Sequence, residues 1–193
     1  MVQHSLTVDN CFHGIYKQNR SEFISIIHPI LSEEDIINIV RHYRNKHNTA
    51  KHICWGYIID DVIKYSDAGE PSGTAGLPII QQLKFYNLTH VICIVVRYFG
   101  GIKLGITGLK MAYQNATLNA IKNAKLINYK KYYTFKIICK YQCINNIMKI
   151  LKHHDYQVLN NEQKDYYSFS VKIDEDIMNI GEIKNHVLEI KRL

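Results

Sequence analysis

Two short segments concentrate the residues capable of chemistry. Ser66 to Pro78 reads SDAGEPSGTAGLP and sets two carboxylates and three hydroxyls among three glycines and two prolines. Glycine allows positive φ or close backbone approach and proline fixes φ, so the loop is expected to hold a defined shape. One reading makes it a rim in which Asp67, Glu70, Ser72, Gly73 and Thr74 face a ligand. The other makes it a rigid loop whose Asp67 and Glu70 cap its own amides.

The second segment, Arg97 to Gly105, reads RYFGGIKLG. An arginine ends an apolar strand, two aromatics follow, and three glycines lead into a helix. Amides exposed at such a turn, together with the positive pole of the helix, suit an anion. Arg97, Tyr98, Gly100, Gly101, Lys103 and Lys110 are therefore the phosphate-binding candidates, with Tyr98 or Phe99 available for stacking. Gly100 and Gly105 have phosphate-loop spacing, but Ile106-Thr107 replaces the Lys-[Ser/Thr] pair and no G-x-G-x-x-G is present, which argues against nucleotide hydrolysis. An arginine on an apolar strand needs a carboxylate or a phosphate beside it. The sequence leaves Glu70, Asp67 and a phosphate all open as that partner.

Other chemistry finds less support. Cys54 and Ser72 are the candidate nucleophiles, with His47 or His52 as base. His52 and Cys54, two apart on a strand, share a face, yet Ser72 lies outside any G-x-S-x-G elbow and a packed thiol is the commoner state of such a cysteine. Cys139-x-x-x-Cys143 and His153-His154 lack zinc-ligand spacing. No metal and no cofactor are expected. Tyr129-Lys130-Lys131-Tyr132-Tyr133 interleaves lysines with aromatics as single-strand binders do, and equally as an amphipathic strand does.

The elements that must carry these residues follow from periodicity. Glu22 to His28 is a strand. Ser32 caps a helix with acids in its first turn and Ile36, Ile39, Val40 and Tyr43 at helical spacing. His52–Ile59 and Val62–Ser66 form a hairpin around Asp60-Asp61. Ile79, Ile80 and Leu83 mark a helix, His90 to Phe99 is a strand buried on both faces, and Gly105 to about Ala124 is a long helix striped by Leu109, Ala112, Tyr113, Ala116 and Ala120. This pattern predicts helices packed on one face of a mixed sheet. Ala124 to Lys131 reads as a linker. Beyond it come a strand at Tyr133–Tyr141, a helix at Ile144–Leu151, strands paired around Asn160-Asn161, a helix capped by Asp174, and a short strand at Leu188–Leu193. The order β-α-β-β-α-β is that of a ferredoxin-like plait. Domains are expected at 1–128 and 129–193, the whole being α+β.

At 193 residues, with 47% hydrophobic residues, the chain can bury a core in two small domains. The N-terminal stretch has no apolar leader, and no run reaches a membrane span. Five scattered cysteines suit reduced thiols. A cytoplasmic protein without a membrane partner is expected. The net charge of +7 is uneven: from Pro71 to His154 there is no Asp or Glu, while lysines recur throughout and the remainder of the chain is net acidic. Such a stretch points to an anionic partner.

The loop Gly69 to Pro78, followed by Arg97 to Gly105 and the helix through Leu109 and Tyr113, resembles the YigZ/Impact family. That family carries a GEPSGTAG-x-P loop and an Arg-aromatic-aromatic-Gly-Gly-x-x-Leu-Gly turn. The likeness extends more loosely through Arg20-Ser21-Glu22-Phe23 and His52-Ile53-Cys54-Trp55. Arg20 stands where relatives often have lysine, and Ala68 where an acid is common. The resemblance implies an N-terminal domain similar to the second domain of ribosomal protein S5 and a C-terminal plait similar to those of elongation factor G. The expectation is a translation-associated binding protein that contacts RNA or the ribosome. A protein-interaction adaptor, as the eukaryotic relative suggests, and a hydrolase using Glu70 or Asp67 as base are the alternatives.

Overall fold

The computed structural model describes residues 5–174 and 177–193. It divides into two compact units, the first ending at Tyr129 and the second running from Lys130 to Leu193.

The first unit is built on a five-stranded sheet. Its strands are β2 (Phe12–Gln18), β3 (Ser21–Pro29), β4 (His52–Ile59), β5 (Val62–Ser66) and β6 (Val91–Tyr98), in the order β2-β3-β6-β4-β5. Every pair is antiparallel, so the expected mixed sheet is corrected. Helix α1 (Glu33–Lys46) begins at Ser32, whose side chain and that of Asp35 form a reciprocal capping box. Helices α2 (Gly76–Phe85) and α3 (Gly105–Asn123) follow. The helices do not share one face. Phe23, Val91, Cys93 and Val95 pack against α2 and α3, whereas Ile26, Ile92, Ile94 and Val96 pack against Ile36, Val40 and Tyr43 of α1. Alternation along β6 supplies both cores, which is why its sequence reads as a continuous apolar run.

Strands β1 (Leu6–Val8) and β2 carried no clear period. Strand β1 pairs antiparallel with β7 (Leu126–Asn128), so the segment expected to be a linker is a short strand of the first unit. Gly14 in β2 lets α3 come close, since a Cβ there would collide with the backbone at Asn119 and Ala120.

The second unit orders β8 (Tyr133–Cys139), β9 (Tyr156–Gln163), β10 (Tyr167–Ile173) and β11 (Glu189–Arg192) as β11-β8-β10-β9, all antiparallel. Helix α4 (Ile144–Leu151) buries Ile147 and Leu151 on this sheet. The β9–β10 reversal falls at Lys164–Tyr166, where the Lys164 amide donates to the Tyr166 carbonyl. Asn160 and Asn161 are instead within β9, beside a bulge, and the Asn160 side chain accepts from the Ser170 amide. The expected last helix is two 3-10 turns, Ile177–Asn179 and Gly181–Asn185, whose apolar residues Ile177 and Ile183 still reach the core. The cap expected from Asp174 falls against residues 175–176, outside the described residues, as do the first four residues of the N-terminal stretch.

Candidate functional site

The register of β6 with its neighbours fixes the site. Arg97 stands opposite Phe23 on β3 and His52 on β4, so these residues form one row across the sheet. Arg97 lies on the α2/α3 side, 6% exposed. Its Nη1 donates to Glu70 Oε1 at 2.6 Å, and the Tyr113 hydroxyl of α3 donates to the same oxygen at 2.9 Å. Of the three partners left open by the sequence, Glu70 is therefore the one that holds Arg97. The guanidinium also lies over the rings of Phe23 and Phe99, at 5.5 and 5.4 Å. Its Nε has no hydrogen-bond partner among the described residues.

Asp67 has a different task. Its carboxylate accepts from the amides of Gly73, Ala75 and Gly76 and so closes the loop onto the first turn of α2. The Thr74 hydroxyl donates to the Pro71 carbonyl, Gly73 has φ +70°, and Ala68 takes φ +44° with its carbonyl accepting from His52 Nδ1. Ser72 remains exposed. In this geometry Asp67 alone caps the loop's amides, Glu70 turning instead to Arg97 and Tyr113, and of the loop's candidate residues only Glu70 reaches the cleft described next.

A cleft of about 390 Å³ opens over this row. Lys51, His52, Glu70, Pro71, Arg97 and Phe99 line one side, and residues 103 to 106 with Leu109 line the other. Helix α3 begins at its edge. No side chain caps α3 and no acid occupies its first turn, so among the described residues its leading amides and positive pole have no anionic partner. Lys51 and Lys103 are both exposed, and neither forms an ion pair among the described residues.

The candidates of the second motif separate. Tyr98 projects to the opposite face of the sheet from Arg97, where its hydroxyl meets His47 Nδ1 at 2.8 Å. The Gly100 amide donates to Ser21 Oγ. Gly101 is exposed with φ +85°, and Lys110 is exposed on α3 outside the cleft lining. Lys51 was missed by sequence reading, since only the pairing of β4 with β6 brings it beside Arg97. The tyrosines of the interleaved stretch have internal partners: Tyr129 stacks on His90 at 4.0 Å in the first unit, and in the second the Tyr132 hydroxyl donates to Asp155.

The Cys54-His52 dyad does not form. Cys54 is fully buried, and its Sγ donates to the Asp67 carbonyl and approaches the Tyr113 hydroxyl at 3.3 Å. Burial pushes its thiol up to about 12, and burial likewise raises Tyr113. Cys54 is expected to resist alkylation in the native protein at pH 8 and to react only on unfolding, as peptide mapping would show; rapid native labelling would restore it as a nucleophile. Among the described residues, no group of three or more His, Cys, Asp or Glu is placed to hold a metal ion. No helix among them is long and apolar enough to cross a membrane.

Residues 19–121, which include the whole cleft, match the Impact N-terminal domain. The chain belongs to the Impact family. Similar relatives include IMPACT family member YvyE of Bacillus subtilis, 28% identical over 163 residues, covering 83% of this chain and 75% of the relative. IMPACT family member YigZ of Escherichia coli is 30% identical over 155 residues, covering 78% and 74%. A crystal structure of a hypothetical protein superposes with a TM-score of 0.70 at 25% identity, covering 96% of this chain and 91% of that one. In this Impact-family chain both signature motifs, the GEPSGTAG loop and the RYFGG turn, contribute to one cleft through the Glu70–Arg97 pair.

Proposed function

We propose that this Impact-family chain is a cytoplasmic, translation-associated binding protein that engages RNA phosphates at the cleft beside α3, with a role in regulating translation. The observation that carries the reading is the uncapped start of α3 opening onto Lys51, Lys103 and the buried Arg97. Among the described residues Glu70 is the only acid lining the cleft, and Arg97 neutralises it, so Lys51, Lys103 and the helix pole leave an excess of positive charge. Phe99, 52% exposed, offers a ring at the same edge. The resemblance to ribosomal protein S5 and elongation factor G supports a ribosomal setting by analogy of fold.

A hydrolase at the loop is less favoured by this geometry. Asp67 is committed to three amides, Glu70 to Arg97 and Tyr113, and the one cysteine nearby is buried.

The test is fluorescence anisotropy of labelled single-stranded RNA at about 50 and 200 mM salt. Neutralising two or three phosphates of a single strand predicts a loss of affinity of about sevenfold to twentyfold across that range. Replacing Lys51 and Lys103 together by alanine should weaken binding at the lower salt and flatten the slope. No binding at the lower salt would overturn the RNA reading and leave an acidic protein partner as the next to test.

A further inference from the structure

We infer that the cleft takes the terminal phosphate of an RNA end or a mononucleotide in preference to an internal phosphodiester. The inference rests on the phosphate-binding reading above and names the ligand for the same site.

Three observations carry it. The first is charge. A phosphomonoester bears about −1.5 to −2 at pH 7, where a phosphodiester bears one negative charge. Lys51 and Lys103 line the same cleft without carboxylate partners, and the unpartnered first-turn amides of α3 lie at its edge. Two ammonium groups and a helix pole match a dianion better than a monoanion.

The second is the buried arginine. Arg97 is 94% buried by its 6% exposure, is seated in the cleft wall, and keeps one nitrogen without a hydrogen-bond partner although Glu70 holds another. A buried donor without a partner is costly, and charged donors are the costliest. The guanidinium thus forms a polar floor to the cleft whose charge Glu70 offsets, so Lys51, Lys103 and the helix pole supply the charge that the phosphate meets.

The third is size and shape. A volume of about 390 Å³ is that of a small-ligand pocket, suited to a nucleotide unit rather than a duplex. Its remaining walls are apolar: Leu104, Ile106 and Leu109 face the site along with Phe99, whose ring has the Arg97 guanidinium over it and is otherwise half exposed. A phosphate at the start of α3 places the attached nucleoside against these groups, where a base stacks on Phe99. An inorganic phosphate would use the charges and none of the apolar surface.

The experiment compares one single-stranded RNA sequence with a hydroxyl at both ends, a 5′-phosphate, or a 3′-phosphate, by anisotropy at fixed ionic strength. In parallel, a nucleoside monophosphate, its nucleoside and inorganic phosphate are titrated into isotope-labelled full-length protein and followed at the amides of Gly105, Ile106 and Thr107. One of the phosphorylated ends should bind about tenfold more tightly than the hydroxyl form, and which end does so identifies the source. The preference should vanish in Lys51→Ala/Lys103→Ala, and the monophosphate should shift the three amides at lower concentration than inorganic phosphate, an advantage lost in Phe99→Ala. Equal affinity for all three RNAs with a steep salt slope overturns the inference and leaves the RNA reading intact. No RNA binding, with no amide shifts from the monophosphate, overturns both. Amide shifts from the monophosphate without RNA binding would support the inference for free nucleotides and remove RNA as the partner.

Discussion

Replacing Glu70 by alanine is expected to lower the unfolding free energy of the first unit by about 3–5 kcal/mol, the range for removing one member of a buried ion pair. The Glu70 and Arg97 side chains are 3% and 7% exposed and lie 2.6 Å apart. Without the carboxylate, the guanidinium keeps its charge, because arginine does not deprotonate, and it loses the one carboxylate that faces it. The Tyr113 hydroxyl, fully buried, loses its acceptor in the same step. The lost contact with Tyr113 also loosens α3 against the loop. Urea unfolding of the full chain, followed by a probe of the first unit such as the fluorescence of Trp55, reads the effect. The double substitution Arg97→Met/Glu70→Leu should be less destabilised than Glu70→Ala alone, since it removes both charges and the need to solvate either. A Glu70→Ala midpoint within the error of the parent would mean that the cleft hydrates Arg97 unaided.

Adjacent glycines of the second motif should respond unequally to alanine. A Cβ on Gly100 would fall within the carbonyl carbon and oxygen of Arg20 and the amide nitrogen of Ser21, all backbone atoms of the β2–β3 turn. That turn is itself set by left-handed Asn19 and Arg20, with φ 48° and 61°, and so has little freedom to yield. Gly100→Ala is expected to cost about 3 kcal/mol, the upper range for forced overpacking. Gly101 has open space around it and φ +85°, so Gly101→Ala meets only the left-handed penalty, about 1 kcal/mol. Thermal unfolding of the two variants should rank Gly100→Ala well below Gly101→Ala. The reverse order would show that backbone conformation, not close approach, fixes the first glycine.

Much of this protein was legible in its residues. Ser32 and Asp35 announced a helix start through a local hydrogen-bond pattern, and the spacing of Ile36, Val40 and Tyr43 announced its buried face. The alternation of Phe135, Ile137 and Cys139 did the same for β8. These features depend on neighbours within one or two turns, where periodicity and capping act directly. Three of the motif residues, Glu70, Arg97 and Lys103, line one cleft.

What the residues alone left open is settled by pairing over long separations. Strands β1 and β7 are three residues each and lie far apart in the chain, so neither has a period of its own to show. Asn160-Asn161 looks like a turn, yet the bulge in β9 and the bond from Ser170 hold it in the sheet. The grouping of Arg97 with Tyr98 was chemical, whereas alternation along β6 sends them to opposite cores. Lys51 joins the cleft because His52 is in register with Arg97. The sequence by itself determined the four helices and most of the longer strands, and that one loop and one turn carry the polar chemistry. The tertiary structure alone decided that Glu70 takes Arg97, that Asp67 serves the backbone, and that the start of α3 meets Lys51 and Lys103. The physical reason is that a charge or an amide chooses its partner only when strand register and helix packing have brought the candidates within a few ångströms.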